Sequence, residues 1–506
     1  MRFPQTVCSL ADLVGLDYVE AACRARAFLS GEPVATLRAL ATGAVDLWPA
    51  ALQERLRQLL PQVGQRVVEP LAGSAPGNST EAFQAATRAA MAPLSGLGWY
   101  RVGEDGRLYV IAKSEHYHAS LGHAFPGYAL IERARSLGIP NATHNNTRGH
   151  ITRCLEAALL AAANLPVAGA PAPAKRLERV LNLETGSLAL EAALKLVLAR
   201  FHPHEASLAK PLYAGRTPVL LVLGDDDGGL SANYHGTTVL TQVMRGLWPT
   251  LRPTLEAAGL FRLRAIRLNS LDDLESAFRE ADGGGLKVAA FFHEIIMMNY
   301  GARVVSPEFL RRAYELCRER DVVTVVDEIQ SCAWCEGGFL FRHYGLEPDL
   351  VALGKGFPGG EFPASRLLFT APLDVLPQFG ALVTNGQEEL ASLAYLVTLA
   401  WERANAAGIA AAGALLEAEL RRAAAAHPRI VEGVSGRGHL LGLRFRDLAQ
   451  GRAFTATMNA AGYDISVQSY KASCPPVALC KLPVIADEAL IEAFVGACRT
   501  ALAKIG

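Results

Sequence analysis

Five short apolar runs recur between about residues 175 and 390: "PVLLVLG" (218–224), "KVAAFFHE" (287–294), "VVTVVDE" (322–328), "PDLVALG" (348–354) and "SRLLFT" (365–370). Their apolar residues are nearly continuous rather than alternating, as expected of strands covered on both faces of a mainly parallel sheet. Between two of them lies "SPEFLRRAYELCRER", with Ser306 placed as N-cap, Pro307 as first helical residue and apolar positions every three or four residues. Buried strands alternating with amphipathic helices predict an α/β fold. Ligands then bind beyond the carboxyl ends of the strands.

One of these runs ends in two adjacent carboxylates, Asp327 and Glu328, within "VVTVVDEIQSC" (322–332). A carboxylate at that depth needs a cationic partner or a proton. The next run ends in Lys355, flanked by Gly354 and Gly356. Glycines there let the backbone approach a flat ligand and leave the amine uncrowded. A lysine in an apolar crevice has a lowered pKa and acts as a nucleophile. Pyridoxal phosphate held as a Schiff base uses both groups, the carboxylate keeping the pyridine nitrogen protonated. Taken singly, the two residues are more often a helix-capping aspartate and a solvated loop lysine.

Further segments follow in order: "GRLYVIA", "LGHAFPGY", "LETGSLALEAALKLVLARF", "NYHGTT", "VDEIQ", "PDLVALGKGFPGG" and "VTNG". In these the chain resembles the class III aminotransferases, a fold-type-I pyridoxal-phosphate family, from about residue 100 to the C-terminus. The resemblance implies that Lys355 bonds the cofactor and Asp327 meets its ring nitrogen. Gly186 and Ser187 would open the phosphate-binding helix, where N–H groups and the helix dipole favour an anion. Tyr234 would stack on the ring, and Gln330 would approach the phenolic oxygen. Thr384 would reach the phosphate of a neighbouring subunit, which implies a homodimer with shared sites. In the phosphate helix, Leu190, Leu194, Val197 and Phe201 form the expected buried stripe, and Glu191 and Lys195 an expected i, i+4 pair. Thr185 and Ser187 also read as ordinary N-caps. Glu328 has no role in this scheme beyond pairing with a nearby basic group.

The chain departs from the family pattern mainly where substrate is recognised. Leu479 in "ALCKLPVIADEAL" stands where relatives often carry a carboxylate-binding Arg, with Lys481 two residues on. Lysine lacks the bidentate fork. Glu294, in relatives a partner of that Arg, loses its obvious counterpart, and Arg148 falls at a pocket position of the family. These two are candidate substrate residues, Arg148 reading equally as a surface ion pair. The Arg-containing turn after D-E-x-Q becomes "CAWCEGG", whose Cys332 and Cys335 read as buried thiols. His116, His118, His144 and His150 fit no standard metal spacing, and no metal is expected.

The remaining composition narrows the class. The 49 basic and 49 acidic residues balance, so nothing favours nucleic acid or an anionic membrane. No apolar stretch reaches the ~18 residues of a membrane span. The start lacks a signal-peptide pattern, and the nine cysteines are scattered. A cytoplasmic location is expected. The domain reading is a helical N-terminal extension (1–95) and an N-terminal segment of the small domain with the substrate entrance (96–174). A large pyridoxal-phosphate domain (175–390) and a C-terminal small domain (391–506) follow. The expected activity is transfer of an amino group between an amine or amino acid and a keto acid or aldehyde. The alternatives are another outcome on the same cofactor (racemase, aminomutase, decarboxylase or lyase) or an inactive scaffold.

Overall fold

The computed structural model describes residues 3–113, 118–165, 175–204, 210–468 and 474–506. Its central sheet has seven strands: β1 (Arg179–Leu183), β2 (Thr217–Gly224), β3 (Arg262–Arg267), β4 (Leu286–His293), β5 (Val323–Asp327), β6 (Leu350–Leu353) and β7 (Ser365–Phe369). Their order is β1-β7-β6-β5-β4-β2-β3. Only β7 runs against its neighbours; every other pairing is parallel. Six carboxyl ends therefore open on one edge. The five apolar runs are five of these strands. The two without such a run, β1 and β3, are the outermost, and their residues mix buried with exposed positions. An edge strand is not sandwiched on all sides, so its sequence lacks the continuous apolar signature.

Helix α1 (Gly186–Leu198) follows β1, with Leu190, Leu194 and Val197 buried and Phe201 buried just beyond its end. The expected Glu191–Lys195 pair does not form. Glu191 instead accepts from Thr238 Oγ1 at 2.8 Å, and Lys195 Nζ donates to the Gly380 carbonyl at 3.0 Å. An exposed i, i+4 pair is worth only ~0.3–0.5 kcal/mol, too little to compete with partners that the fold brings alongside. Helix α2 (Pro307–Glu319) starts as expected: Ser306 Oγ accepts from the Phe309 N–H at 3.1 Å.

Beyond the sheet, the expected hairpin is present as antiparallel strands Tyr100–Gly103 and Leu108–Val110, joined by Pro93–Leu97. A buried ion pair, Arg101 Nη2 to Asp464 Oδ2 at 2.6 Å, ties this hairpin to the C-terminal segment. There a second antiparallel sheet (Val431–Arg437, Leu440–Phe445, Val477–Cys480) carries helices Leu448–Ala460 and Glu488–Ile505. The N-terminal helices pack on the far side of this assembly: the Phe3 ring lies 5.2 Å from Trp401, and Arg57 bonds Asp487 at 2.7 Å. Residues 72–80 form an exposed irregular stretch, as their Gly/Ser/Pro/Asn content predicts. No helix among the described residues is long and apolar enough to cross a membrane.

The long helix α3 (Glu389–Ala425) begins with a buried carboxylate. Glu389 accepts from the N–H groups of Ile151 (2.8 Å) and Thr152 (3.0 Å) and from Thr152 Oγ1 (2.6 Å), at the start of helix His150–Ala163. Its charge meets two otherwise unpaired amides and the positive end of that helix dipole. A Cβ on the preceding Gly149 would fall 2.2 Å from the Glu389 carboxyl carbon, so the cap needs glycine there. Glu389→Ala is expected to lower unfolding free energy by about 2 kcal/mol in urea titrations; an unchanged midpoint would contradict this anchor.

Candidate active site

At the carboxyl edge of the sheet lies a cavity of about 230 Å³. It brings together Gly186 and Ser187 from the start of α1, Tyr234 from the loop after β2, Asp327 and Gln330 from the end of β5, and Lys355 beyond β6. Three other candidates do not line it. Glu294 follows β4, is buried, and accepts from Gln330 Nε2 at 3.1 Å, so it stands directly behind the wall. Thr384 is exposed, and Arg148 is exposed with its Nε 3.5 Å from Glu156 Oε1. Among the four histidines, His118 lines the cavity. His144 Nδ1 accepts from the Asn146 N–H at 3.4 Å, and His150 stacks on Tyr18 at 4.4 Å. His116 falls outside the described residues.

The start of α1 is fixed from both sides. Thr185 is its N-cap, accepting from the Leu188 N–H at 3.4 Å, and Ser187 Oγ accepts from the Thr237 N–H at 3.0 Å. Gly236, with φ +113, presses against this turn: a Cβ there would stand 2.8 Å from Ser187 Cα. Only glycine combines that backbone angle with that approach. A Cβ on Gly186 would meet Ile329 Cδ1 at 2.8 Å. The first amides of a helix have no partner within it, so this turn offers donors for an anion.

Asp327, the last residue of β5, is 5% exposed. Its Oδ1 accepts from the Ile329 N–H at 3.1 Å, and its Oδ2 lies 2.9 Å from His235 Nδ1. Because the carboxylate is the acceptor, His235 is held with its proton on Nδ1, leaving Nε2 buried without a partner among the described residues. Neither His235 nor Ile329 figured as a site residue in the sequence reading. The signal was there, since each sits beside one that did: Tyr234 and Gln330.

Lys355 takes φ +35, an uncommon angle for a side chain of its size. Burial pushes its amine below the ordinary lysine value, while Asp327 and then Glu294 pull the other way. The flanking glycines also allow close packing of the protein itself. A Cβ on Gly356 would stand 2.8 Å from the Cys332 carbonyl, and one on Gly354 would stand 3.3 Å from Ile329 Cδ1. They admit the protein's own chain at close range, which fixes where the lysine emerges. Glu328 caps helix Leu340–His343 by accepting from the Leu340 N–H at 2.9 Å and from that of Phe341, and it feels the charge of the nearby Arg342. Burial pushes its carboxyl up to about 8. Cys332 Sγ donates to the Gly354 carbonyl at 3.2 Å, and burial pushes both it and Cys335 up, so the two act as packed thiols.

In the C-terminal sheet Leu479 pairs with Gly442, while Lys481, fully buried, extends toward the cavity wall. Its Nζ donates to the Gln330 carbonyl at 2.7 Å and stands 4.0 Å from the centre of the Trp334 ring.

Comparison with known proteins identifies the family. A family model described as aminotransferase class-III matches residues 84–494. The ornithine aminotransferase of Schizosaccharomyces pombe is 27% identical over 278 residues, 52% of this chain and 55% of that protein. The chain thus matches about half the length of that relative. The [LysW]-aminoadipate semialdehyde transaminase of Deinococcus radiodurans is 26% identical over 68% of this chain and 71% of its own. The ornithine aminotransferase structure from Toxoplasma gondii ME49 superimposes with a TM-score of 0.65 at 20% identity, covering 82% of this chain and 90% of that one. At that identity the likeness is one of fold.

Glu328 gives this site a pH signature. Its carboxyl titrates near 8 when folded and near ~4.3 when unfolded. Between those values the folded chain holds a proton that the unfolded chain has released. The contribution is therefore complete at low pH and lost as pH rises toward 8. Glu328→Gln is expected to flatten the fall in unfolding free energy from about pH 5 to 8 by roughly 2–4 kcal/mol. Urea titrations with the same slope in both proteins would refute it.

Proposed function

The chain belongs to the class III aminotransferases, and on that premise we propose that it moves an amino group between an amine or amino acid donor and a keto acid or aldehyde. Pyridoxal phosphate is the cofactor of this family, and the residues here fit it. The observation that carries the reading is that buried Lys355 and buried Asp327 line one cavity beside the N-terminus of α1. Gln330 Oε1, buried and without a partner among the described residues, adds an acceptor atom at the cavity.

When bound, the cofactor supplies an electron sink for negative charge at the carbon bearing the substrate's amine. The chain's own residues do the rest. Lys355, its amine lowered by burial, would hold the cofactor through its nitrogen, and the same nitrogen is placed to carry the proton at the substrate carbon as general base. Asp327 would keep the cofactor's ring nitrogen protonated, its own oxygens oriented by His235 and the Ile329 amide. Gly186 and Ser187 would hold the phosphate through main-chain donors. Tyr234 and Ile329 form walls, and Gln330 would meet the phenolic oxygen. Thr384, exposed on one chain, would reach the phosphate of a second subunit, which makes the working form a homodimer with shared sites; Arg148 is the candidate for binding a substrate carboxylate or phosphate. Glu294 bears on substrate through Gln330. The protein works in the cytoplasm and without nucleic acid.

A second outcome on the same cofactor is kept in view by one feature: no arginine lines the cavity among the described residues. Donor alone separates the two. A transaminase shifts the absorbance of the lysine-bound cofactor to that of the pyridoxamine form in proportion to enzyme, whereas a racemase or lyase keeps the original band. The relatives' names set the panel: ornithine, acetylornithine, lysine and diaminobutyrate as donors, with 2-oxoglutarate as acceptor.

The site itself is tested by two variants. Lys355→Ala is expected to abolish borohydride-fixed attachment of the cofactor, and Asp327→Ala to keep some binding while losing at least ~10²-fold in turnover. Full turnover in either, or a wild-type protein that stays colourless with pyridoxal phosphate, would end the reading.

A further inference from the structure

The turn that leaves Gln330 runs on to a second cavity, of about 220 Å³. Three segments enclose it: residues 334–343 beyond β5, residues 409–417 of α3, and the turn joining strands Val431–Arg437 and Leu440–Phe445. It thus lies where the large domain meets the C-terminal sheet, the kind of junction at which small-molecule pockets form. Ala410, Gly413 and Ala414 recur at helical spacing on its α3 side, and side chains this small leave the space open. Trp334 and Ile409 give it an apolar wall.

Its polar groups are not equally engaged. His439 is 2% exposed and donates from Nε2 to the Ile409 carbonyl at 2.9 Å; burial pushes its ring down to about 4, so it is uncharged near neutral pH. Glu417 accepts from Arg421 at 2.9 Å and from the Gly438 amide at 2.8 Å. Glu336 is placed differently. His343 Nε2 donates to the Glu336 main-chain carbonyl at 2.9 Å, so in the neutral ring the proton is used there and Nδ1 is a bare acceptor. That Nδ1 stands 3.5 Å from the Glu336 carboxylate. Two acceptors then face each other without a hydrogen to share. An ammonium group, with a positive charge and three donors, satisfies both. Arg437, exposed on the same cavity, offers the planar fork that suits a carboxylate.

We propose that this cavity is a binding site for a free amino acid, whose ammonium sits between Glu336 and His343, whose carboxylate meets Arg437, and whose side chain lies along Trp334 and Ile409. The site uses neither Lys355 nor Asp327, so it does not depend on the cofactor reading. It is nonetheless joined to the active cavity. Trp334 is four residues from Gln330, and its ring lies 4.0 Å from Lys481 Nζ, which donates to the Gln330 carbonyl at 2.7 Å. Burial pushes the Lys481 amine well down, and a neutral amine serves as that donor.

The test is equilibrium dialysis of labelled L-leucine, L-ornithine and L-glutamate against the borohydride-reduced holoenzyme, in which the cofactor is fixed on Lys355 and amines cannot add to it. Succinate and putrescine, which lack the ammonium or the carboxylate, serve as controls. At least one amino acid is expected to bind, and neither control as tightly. Glu336→Gln and Arg437→Met, both at exposed side chains, are each expected to weaken binding about tenfold. Ala410→Phe, which fills the cavity, is expected to abolish it. Retention of none of the three amino acids, a control that binds equally well, or affinity unchanged in the variants overturns the proposal. A protein that never loads the cofactor overturns the functional reading instead; the dialysis is then run on the bare protein, so the two failures are distinct.

Discussion

Burying an amine and a carboxylate in one apolar wall is the constraint on which the rest of this structure depends. Each alone carries a desolvation cost that favours its neutral form. Together in one cavity, with Glu294 behind and two donors on Asp327, they can hold opposite charges at a fixed place. The parallel sheet makes this possible because six strands deliver their carboxyl ends to the same edge. Side chains distant in sequence then meet without any long loop having to carry them.

Rigidity at that edge comes from close approach of main chain rather than from ion pairs. Gly186 and Gly354 let Ile329 sit against both, Gly236 lets its loop rest on Ser187, and Gly356 lets the lysine turn lie on the Cys332 carbonyl. Ile329 is thus wedged between the phosphate-side turn and the lysine strand while its amide holds Asp327. Such contacts leave little room for side-chain rearrangement, as a preorganised site requires. The strained angle at Lys355 is sustained by this surrounding packing.

Asp327 and Glu294 illustrate two uses of a carboxyl group, and Glu328 a third. Asp327 faces the cavity, Glu294 backs Gln330, and Glu328 faces away to cap a short helix. Successive strand residues point to opposite faces, so neighbours in "VDEIQ" were bound to part company. Among the described residues, none of the helical N-terminal region lines the cavity. It covers Trp401 and the C-terminal helix, extending the apolar core around α3.

By itself the sequence determined the class of fold, five of seven strands, the caps at Ser306 and Thr185, and six of the residues gathered at the cavity. Those features are local: continuous apolar runs, capping residues and glycines write their requirements into a few neighbouring positions. Only the tertiary structure decided that β1 and β3 close the sheet, because edge strands have no sandwiched signature. It alone joined His235 to Asp327, Glu389 to a helix more than two hundred residues earlier, and Lys481 to Gln330. It also broke the Glu191–Lys195 pair, since partners brought by folding outweigh a weak local attraction. A hydrogen bond between remote segments depends on where the chain returns to itself, and no spacing rule in one sequence encodes that.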